Sequence, residues 1–283
     1  MSAGQLRKHE QFRSRFLRNN RDLIVYVPPG YDDQPFTRYP VLYMQDGQNL
    51  FDRATSFGGQ DWNVHGAADY MIGIGAVQPL IIVGIYNTGK SRIHEYTPTK
   101  APKLGGGRAD RYAKFLMEEV MLFIQREYRV NGDPRVTGIG GSSLGGLLAL
   151  YLGLKNPQVF GKVAALSPSV WWHQRMIMQF AVSVTLGPPQ RKRPIFRLRS
   201  AEPGLEMPRP TIWLDIGTKE GPRIVPDVEQ FHDILLQKGW REGEDLHYER
   251  VDGGEHNELA WSQRIGRVLQ FLYPEADISR RNA

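Results

Sequence analysis

Short apolar runs recur along the chain at 23–27, 41–44, 80–85, 136–140, 163–166, 212–216 and 247–251. They are rich in Val, Ile, Leu, Tyr and Trp, which suits extended structure. The middle runs are continuously apolar rather than alternating, as in parallel strands covered on both faces. Between them the spacing changes to that of helices. Leu116, Val120, Phe123 and Ile124 share one face of a helix expected over 109–128. Val228, Phe231, Ile234 and Leu235 do the same ahead of Lys238-Gly239, a C-terminal stop signal. Ile265, Val268, Leu269 and Leu272 line a last helix that must end before Pro274. Strands alternating with helices of this length predict an α/β fold, a mostly parallel central sheet with helices on both faces. No internal repeat is present, and 1–283 reads as a single domain.

Three segments fall outside this rhythm. Residues 1–15 read as a polar N-terminal extension, and Leu104-Gly105-Gly106-Gly107 as a flexible loop before the long helix. The stretch 188–210, rich in Pro and Arg, reads as an inserted loop too long for an ordinary connection and placed near the site.

Composition narrows the function classes. Hydrophobic residues make up 41% and charged residues 23%, which fits a globular domain. No apolar run approaches the roughly 18 residues of a membrane span, and 1–18 lack the apolar centre of a secretory signal, so a cytoplasmic protein with no membrane partner is expected. The absence of Cys excludes disulfides, thiolate metal sites and a cysteine nucleophile. The net charge of +6 gathers most visibly at Arg191-Lys192-Arg193, Arg197 and Arg199. No nucleic-acid motif accompanies them, so they read as a solvated loop with no nucleic-acid partner.

Chemistry enters at Gly141-Ser142-Ser143-Leu144-Gly145, between the run 136–140 and the helix-forming run 147–152. A strand, a tight turn on a serine and a helix make a nucleophile elbow. The residues two before and two after such a serine must be very small. Ser143 has Gly141 and Gly145 there, whereas Ser142 has Gly140 and Leu144. A serine hydroxyl needs a base, and the base a carboxylate; in this fold they follow the serine as acid and then histidine. Among the seven histidines, His9, His65 and His94 precede Ser143, and His173 follows it too closely for an acid to intervene. His232 lies within a helix and His247 within the last strand, which leaves His256, in the loop behind Asp252-Gly253-Gly254-Glu255. For the acid, Glu220 in the loop after 212–216 is preferred, with Asp215 and Asp227 as rivals. Two backbone N–H groups complete an acyl-transfer site: Leu144, after the nucleophile, and Gln48, after the 41–44 strand at Gly47.

Residues 41–52, 82–85 with Asn87 and 92–98, the Ser143 elbow through Ser167-Pro168, and 253–258 with Trp261 together resemble the putative-esterase family, which includes esterase D-like and enterochelin esterase-like hydrolases. The resemblance spans about 16–273. It implies an α/β-hydrolase fold, no metal or organic cofactor, and a small-molecule carboxylic ester as substrate. Its nucleophile, base and acid positions match Ser143, His256 and Glu220. The chain departs from relatives in having Glu where the acid is often Asp, Asp46-Gly47 where many have His-Gly, and the long 188–210 segment. Trp171, Trp172, Asp46 and Phe51, with Trp62, are the candidate substrate contacts, suited to sugar rings or aromatic acyl groups. The reading is a serine esterase; an acyltransferase of the same fold and a polyanion-binding protein are the alternatives, and a homo-oligomer is left open.

Overall fold

Side chains alternate in direction along a strand, and that alternation divides each apolar run between two cores. In the computed structural model, which describes residues 3–187 and 209–275, Leu23, Val25 and Val27 enter one core while Ile24 and Tyr26 enter the other. Val41 and Tyr43 divide in the same way from Leu42 and Met44. A strand between two dry faces has no polar side to show, so its run is continuous.

In chain order the strands are β1 (Gln5–Arg13), β2 (Asn20–Val27), β3 (Val41–Gln45), β4 (Ile81–Ile85), β5 (Lys100–Ala101), β6 (Gly105–Gly106), β7 (Thr137–Ser142), β8 (Lys162–Leu166), β9 (Thr211–Gly217) and β10 (Leu246–Val251). The helices are α1 (Val64–Gly73), α2 (Arg92–Tyr96), α3 (Ala109–Phe115), α4 (Met121–Glu127), α5 (Leu144–Lys155), α6 (Trp172–Ser183), α7 (Ile224–Gln237), α8 (Glu258–Ser262) and α9 (Ile265–Leu272). Eight strands form one sheet in the order β1-β2-β4-β3-β7-β8-β9-β10. From β4 to β10 every neighbouring pair is parallel, and β2 runs antiparallel to β4 and to β1. The larger core buries the apolar residues of α5 and α7, and the smaller core those of α1 and α9. This is the expected α/β architecture. Among the described residues, no helix is long and apolar enough to cross a membrane.

Three expectations are corrected. The polar extension at 1–15 is largely β1, an edge strand on β2. Its charged residues face solvent, as edges commonly do, while Phe12 packs on Phe123 at 5.3 Å. The Gly-rich 104–107 loop contains β6, paired with β5; Gly105 and Gly106 hold φ of 78° and 99°, which glycine adopts freely. The helix expected over 109–128 is α3 and α4 joined by a π-helical turn, Leu116–Val120. Of the expected 188–210 loop, 188–208 lie outside the described residues.

Candidate active site

The sheet order brings the site together. β7, β8, β9 and β10 are successive neighbours with a common direction, so the loops leaving their C-terminal ends emerge side by side. Those loops begin with Ser143, Ser167, the turn to Glu220 and the turn to His256. β3, on the other flank of β7, adds the turn after Gln45. Catalytic groups at the C-terminal ends of parallel strands are the general arrangement in such sheets.

Ser143 sits between β7 and α5 with φ 56° and ψ −123°. For a residue with a side chain this conformation costs roughly 1–3 kcal/mol and persists only where the surroundings impose it. A Cβ on Gly141 would lie 2.9 Å from the Gly145 carbonyl carbon, and one on Gly145 would lie 3.1 Å from Gln45 Cβ. The glycines therefore let strand, helix and the β3 turn meet around the serine. The Ser143 hydroxyl hydrogen-bonds Ser169 Oγ at 3.3 Å. Among the described residues, no hydrogen bond joins it to His256.

Glu220 and His256 are in contact: Nδ1 of the imidazole lies 2.7 Å from Oε2 of a carboxylate whose side chain is fully buried. Their loops are stitched by Thr218 N–H to Val251 O at 2.9 Å and Lys219 N–H to Gly254 O at 3.0 Å. A Cβ on Gly217 would fall 2.3 Å from Gly254 O, so only glycine lets these backbones cross. Burial would raise the Glu220 pKa, but hydrogen bonds from His256, Ser167 and the Gly217 N–H outweigh it and hold the carboxyl below its usual range. The rivals have other partners. Asp227, in the first turn of α7, pairs with Arg175 at 2.8 Å. Asp215, within β9, pairs with Arg264 at 2.6 Å, and burial pushes its carboxyl up. His232 stacks on Tyr248 at 4.6 Å and His247 lies against Trp213 at 4.4 Å, in packing roles.

The β3 turn is a short 3₁₀ segment, Gly47–Asn49, entered through Asp46 at φ 55°. Among the described residues, the N–H groups of Gln48 and Leu144 donate no hydrogen bond within the protein. Leu144 opens α5, where unpaired N–H groups and the helix dipole favour negative charge. Three of the four expected substrate contacts carry structural work instead. Asp46 is buried and held by Arg92 at 2.8 and 2.7 Å and by the Asn87 amide at 2.7 Å, so its carboxylate is already neutralised. Trp172 is buried and donates to Thr99 O at 3.1 Å. Phe51 is buried against Gly84 of β4, where a Cβ would come within 2.8 Å of its ring. Trp62 is likewise in the core, 5.6 Å from Trp261, whose ring stands edge-on to His256 at 4.9 Å. Trp171 alone presents its ring, being 40% exposed.

Sequence reasoning gave no supporting role to Ser167, Ser169, the Asp215–Arg264 pair, or Glu258, which meets Asn49 at 3.1 Å. One signal was available. Arg264 occupies a core-facing slot in the pattern Trp261, Ile265, Val268, Leu269, Leu272, and a charge in such a slot requires a buried partner.

The family model described as "Putative esterase" matches residues 14–272. The uncharacterized protein YbbA of Bacillus subtilis is 24% identical over 267 residues, covering 90% of this chain and 93% of its own length. The ferri-bacillibactin esterase BesA of the same organism is 30% identical over 176 residues, covering 56% of this chain and 58% of its own. The iron(III) enterobactin esterase of Dickeya dadantii is 26% identical over 88% of this chain, which spans about half, 51%, of that relative. Among solved structures, the BES protein from Bacillus cereus superposes with a TM-score of 0.69 at 20% identity, covering 96% and 95% of the two chains. The enterobactin esterase FES from Shigella flexneri superposes with a TM-score of 0.70 at 20% identity, over 95% of this chain and 59% of that one. The chain belongs to the putative esterase family and is a carboxylic ester hydrolase with the α/β-hydrolase fold.

Proposed function

We propose that the protein is a serine esterase in which Ser143 is the nucleophile, His256 the base and Glu220 the acid that orients it. The observation that carries this reading is the 2.7 Å contact between His256 Nδ1 and a buried carboxylate, on loops neighbouring the strained serine elbow. Glu220 accepts a hydrogen bond from the Nδ1–H of His256, which leaves Nε2 as the acceptor for the Ser143 proton. Ser143 exchanges its hydrogen bond with Ser169 for one with His256 as an ester enters; such bonds are often long or absent before substrate binds. Oγ then attacks the acyl carbonyl, and the N–H groups of Leu144 and Gln48 receive the oxyanion. His256 returns the proton to the departing alcohol, and water releases the acid from the acyl-enzyme through the same groups.

For the substrate we infer an ester whose acyl side carries an aromatic ring, of the catecholate or hydroxycinnamate kind. Relatives carry the names ferri-bacillibactin, enterobactin and feruloyl esterase. The exposed ring of Trp171, four residues beyond Ser167, offers a stacking surface. The test combines a fluorophosphonate probe with a panel of acetyl, feruloyl and 2,3-dihydroxybenzoyl esters. Wild type should be labelled at Ser143 and prefer the aromatic acyl groups, and Ser143→Ala should resist labelling and lose hydrolysis. Labelling at Ser142, or hydrolysis surviving in Ser143→Ala, would overturn the assignment.

A further inference from the structure

The Ser167 side chain is completely buried, and three polar side chains meet on its hydroxyl. Its Oγ lies 2.5 Å from Glu220 Oε1, 3.0 Å from Trp261 Nε1 and 3.0 Å from Arg264 Nη1. An indole N–H and a guanidinium N–H can only donate, and a hydroxyl has one proton and two lone pairs. Trp261 and Arg264 therefore occupy both lone pairs of Ser167. Its proton has one direction left, towards Glu220 Oε1. That oxygen also accepts the Gly217 N–H at 2.9 Å. With Oε1 supplied by two donors, Oε2 is the oxygen left to face His256, and as an acceptor it demands the Nδ1–H tautomer.

Ser167 is itself held. Its backbone N–H reaches Asp215 at 3.0 Å to Oδ1 and 3.1 Å to the carbonyl oxygen, and its φ is 43°. Asp215 is fixed in turn by Arg264 at 2.6 Å and by Trp213 Nε1 at 2.7 Å. Ser167, Asp215 and Arg264 are all fully buried.

We propose that Ser167, clamped by Trp261 and the Asp215–Arg264 pair, is a positioning residue that holds the Glu220 carboxylate in the orientation in which Oε2 accepts the His256 Nδ1–H hydrogen bond, and so keeps the base aligned with Nε2 free to accept. It rests on the triad reading above. Ser167 reaches neither solvent nor substrate, so its effect belongs in kcat and not in KM.

The experiment measures kcat and KM per titrated active site for Ser167→Ala and Ser167→Gly, alone and with Glu220→Gln, alongside circular dichroism and thermal melts. Glycine is the second variant because φ 43° suits it without strain. Each single variant should lower kcat about tenfold, the scale of one hydrogen bond to a charged group, with KM within about twofold. In the Glu220→Gln background the same change should alter kcat by less than about twofold, because Ser167 acts only through Glu220. Wild-type kcat in a folded variant overturns the proposal, as does a tenfold loss that recurs in full beside Glu220→Gln. Failure of both variants to fold would assign Ser167 a structural role and overturn it as well. Hydrolysis surviving in Ser143→Ala would instead bring down the triad reading itself.

Discussion

Replacing Glu220 by Gln keeps the length of the side chain and removes its charge. The Gln carbonyl oxygen can still take the bonds from Ser167 and Gly217 that Oε1 accepts at 2.5 and 2.9 Å. That leaves the NH₂ group pointing at His256, where Oε2 now sits 2.7 Å from Nδ1. A donor facing Nδ1 forces the imidazole to carry its proton on Nε2, the nitrogen that accepts from Ser143 in the proposed mechanism. The variant therefore loses the correct tautomer and the stabilisation of the imidazolium together, a loss of about 10²–10⁴ in kcat, or about 2.7–5.4 kcal/mol. Asp227→Asn is the control. Its partner Arg175 is 53% exposed in its side chain, so the ion pair contributes no more than about 1 kcal/mol and its place at a helix N-terminus a similar amount. It should keep kcat within about twofold and lower Tm by roughly 2–4 °C. The assay is steady-state hydrolysis of p-nitrophenyl acetate, normalised by fluorophosphonate titration. A greater kcat loss in Asp227→Asn than in Glu220→Gln would refute the reasoning. A second readout follows from linkage. Folding lowers the Glu220 pKa, so the ionised carboxylate adds stability at neutral pH that disappears as pH falls through its folded value. The stability of Glu220→Gln should lack that acid-side component.

Gly217→Ala would drive a Cβ to 2.3 Å from Gly254 O; the loops bearing Glu220 and His256 should part, lowering kcat at least about tenfold along with Tm, and wild-type activity would show that they do not depend on this crossing. Lys162 is pushed from 10.5 down to about 8 by burial, so the folded state pays for its charge fully below about pH 8 and is relieved as pH rises towards 10.5. Because its residue is not wholly sealed from solvent, Lys162→Met should gain about 1–2 kcal/mol at pH 7 in urea unfolding, and a gain that grows between pH 8 and 10.5 would contradict this. Trp171→Ala should raise KM for feruloyl or dihydroxybenzoyl esters about five- to tenfold and leave acetyl esters unchanged; equal effects on both would remove Trp171 from acyl recognition.

Much of the fold is written in local pattern. Continuous apolar runs such as 80–85 are what a strand between two cores requires, and the helical spacing of Ile265, Val268, Leu269 and Leu272 is what one apolar face requires, so the α/β alternation could be read residue by residue. The turn at Ser143 was legible for the same local reason, since Gly141 and Gly145 are needed within five residues of chain. β1 was not legible, because an edge strand needs only a partner's backbone and few apolar side chains. Nor was the fate of Asp46, Phe51 and Trp172: residue type says what a side chain can do, while burial beside Arg92, Gly84 and Thr99 determines what it does. The choice among Asp215, Glu220 and Asp227 was of this kind too. All three lie within thirteen residues of sequence around β9 and α7. Which one meets His256 depends on the crossing of two loops at Gly217 and Gly254, and on Arg264 and Arg175 engaging the other two. Those contacts join residues tens of positions apart, and hydrogen bonds of that range come into being only when neighbouring strands bring their loops together at one edge of the sheet.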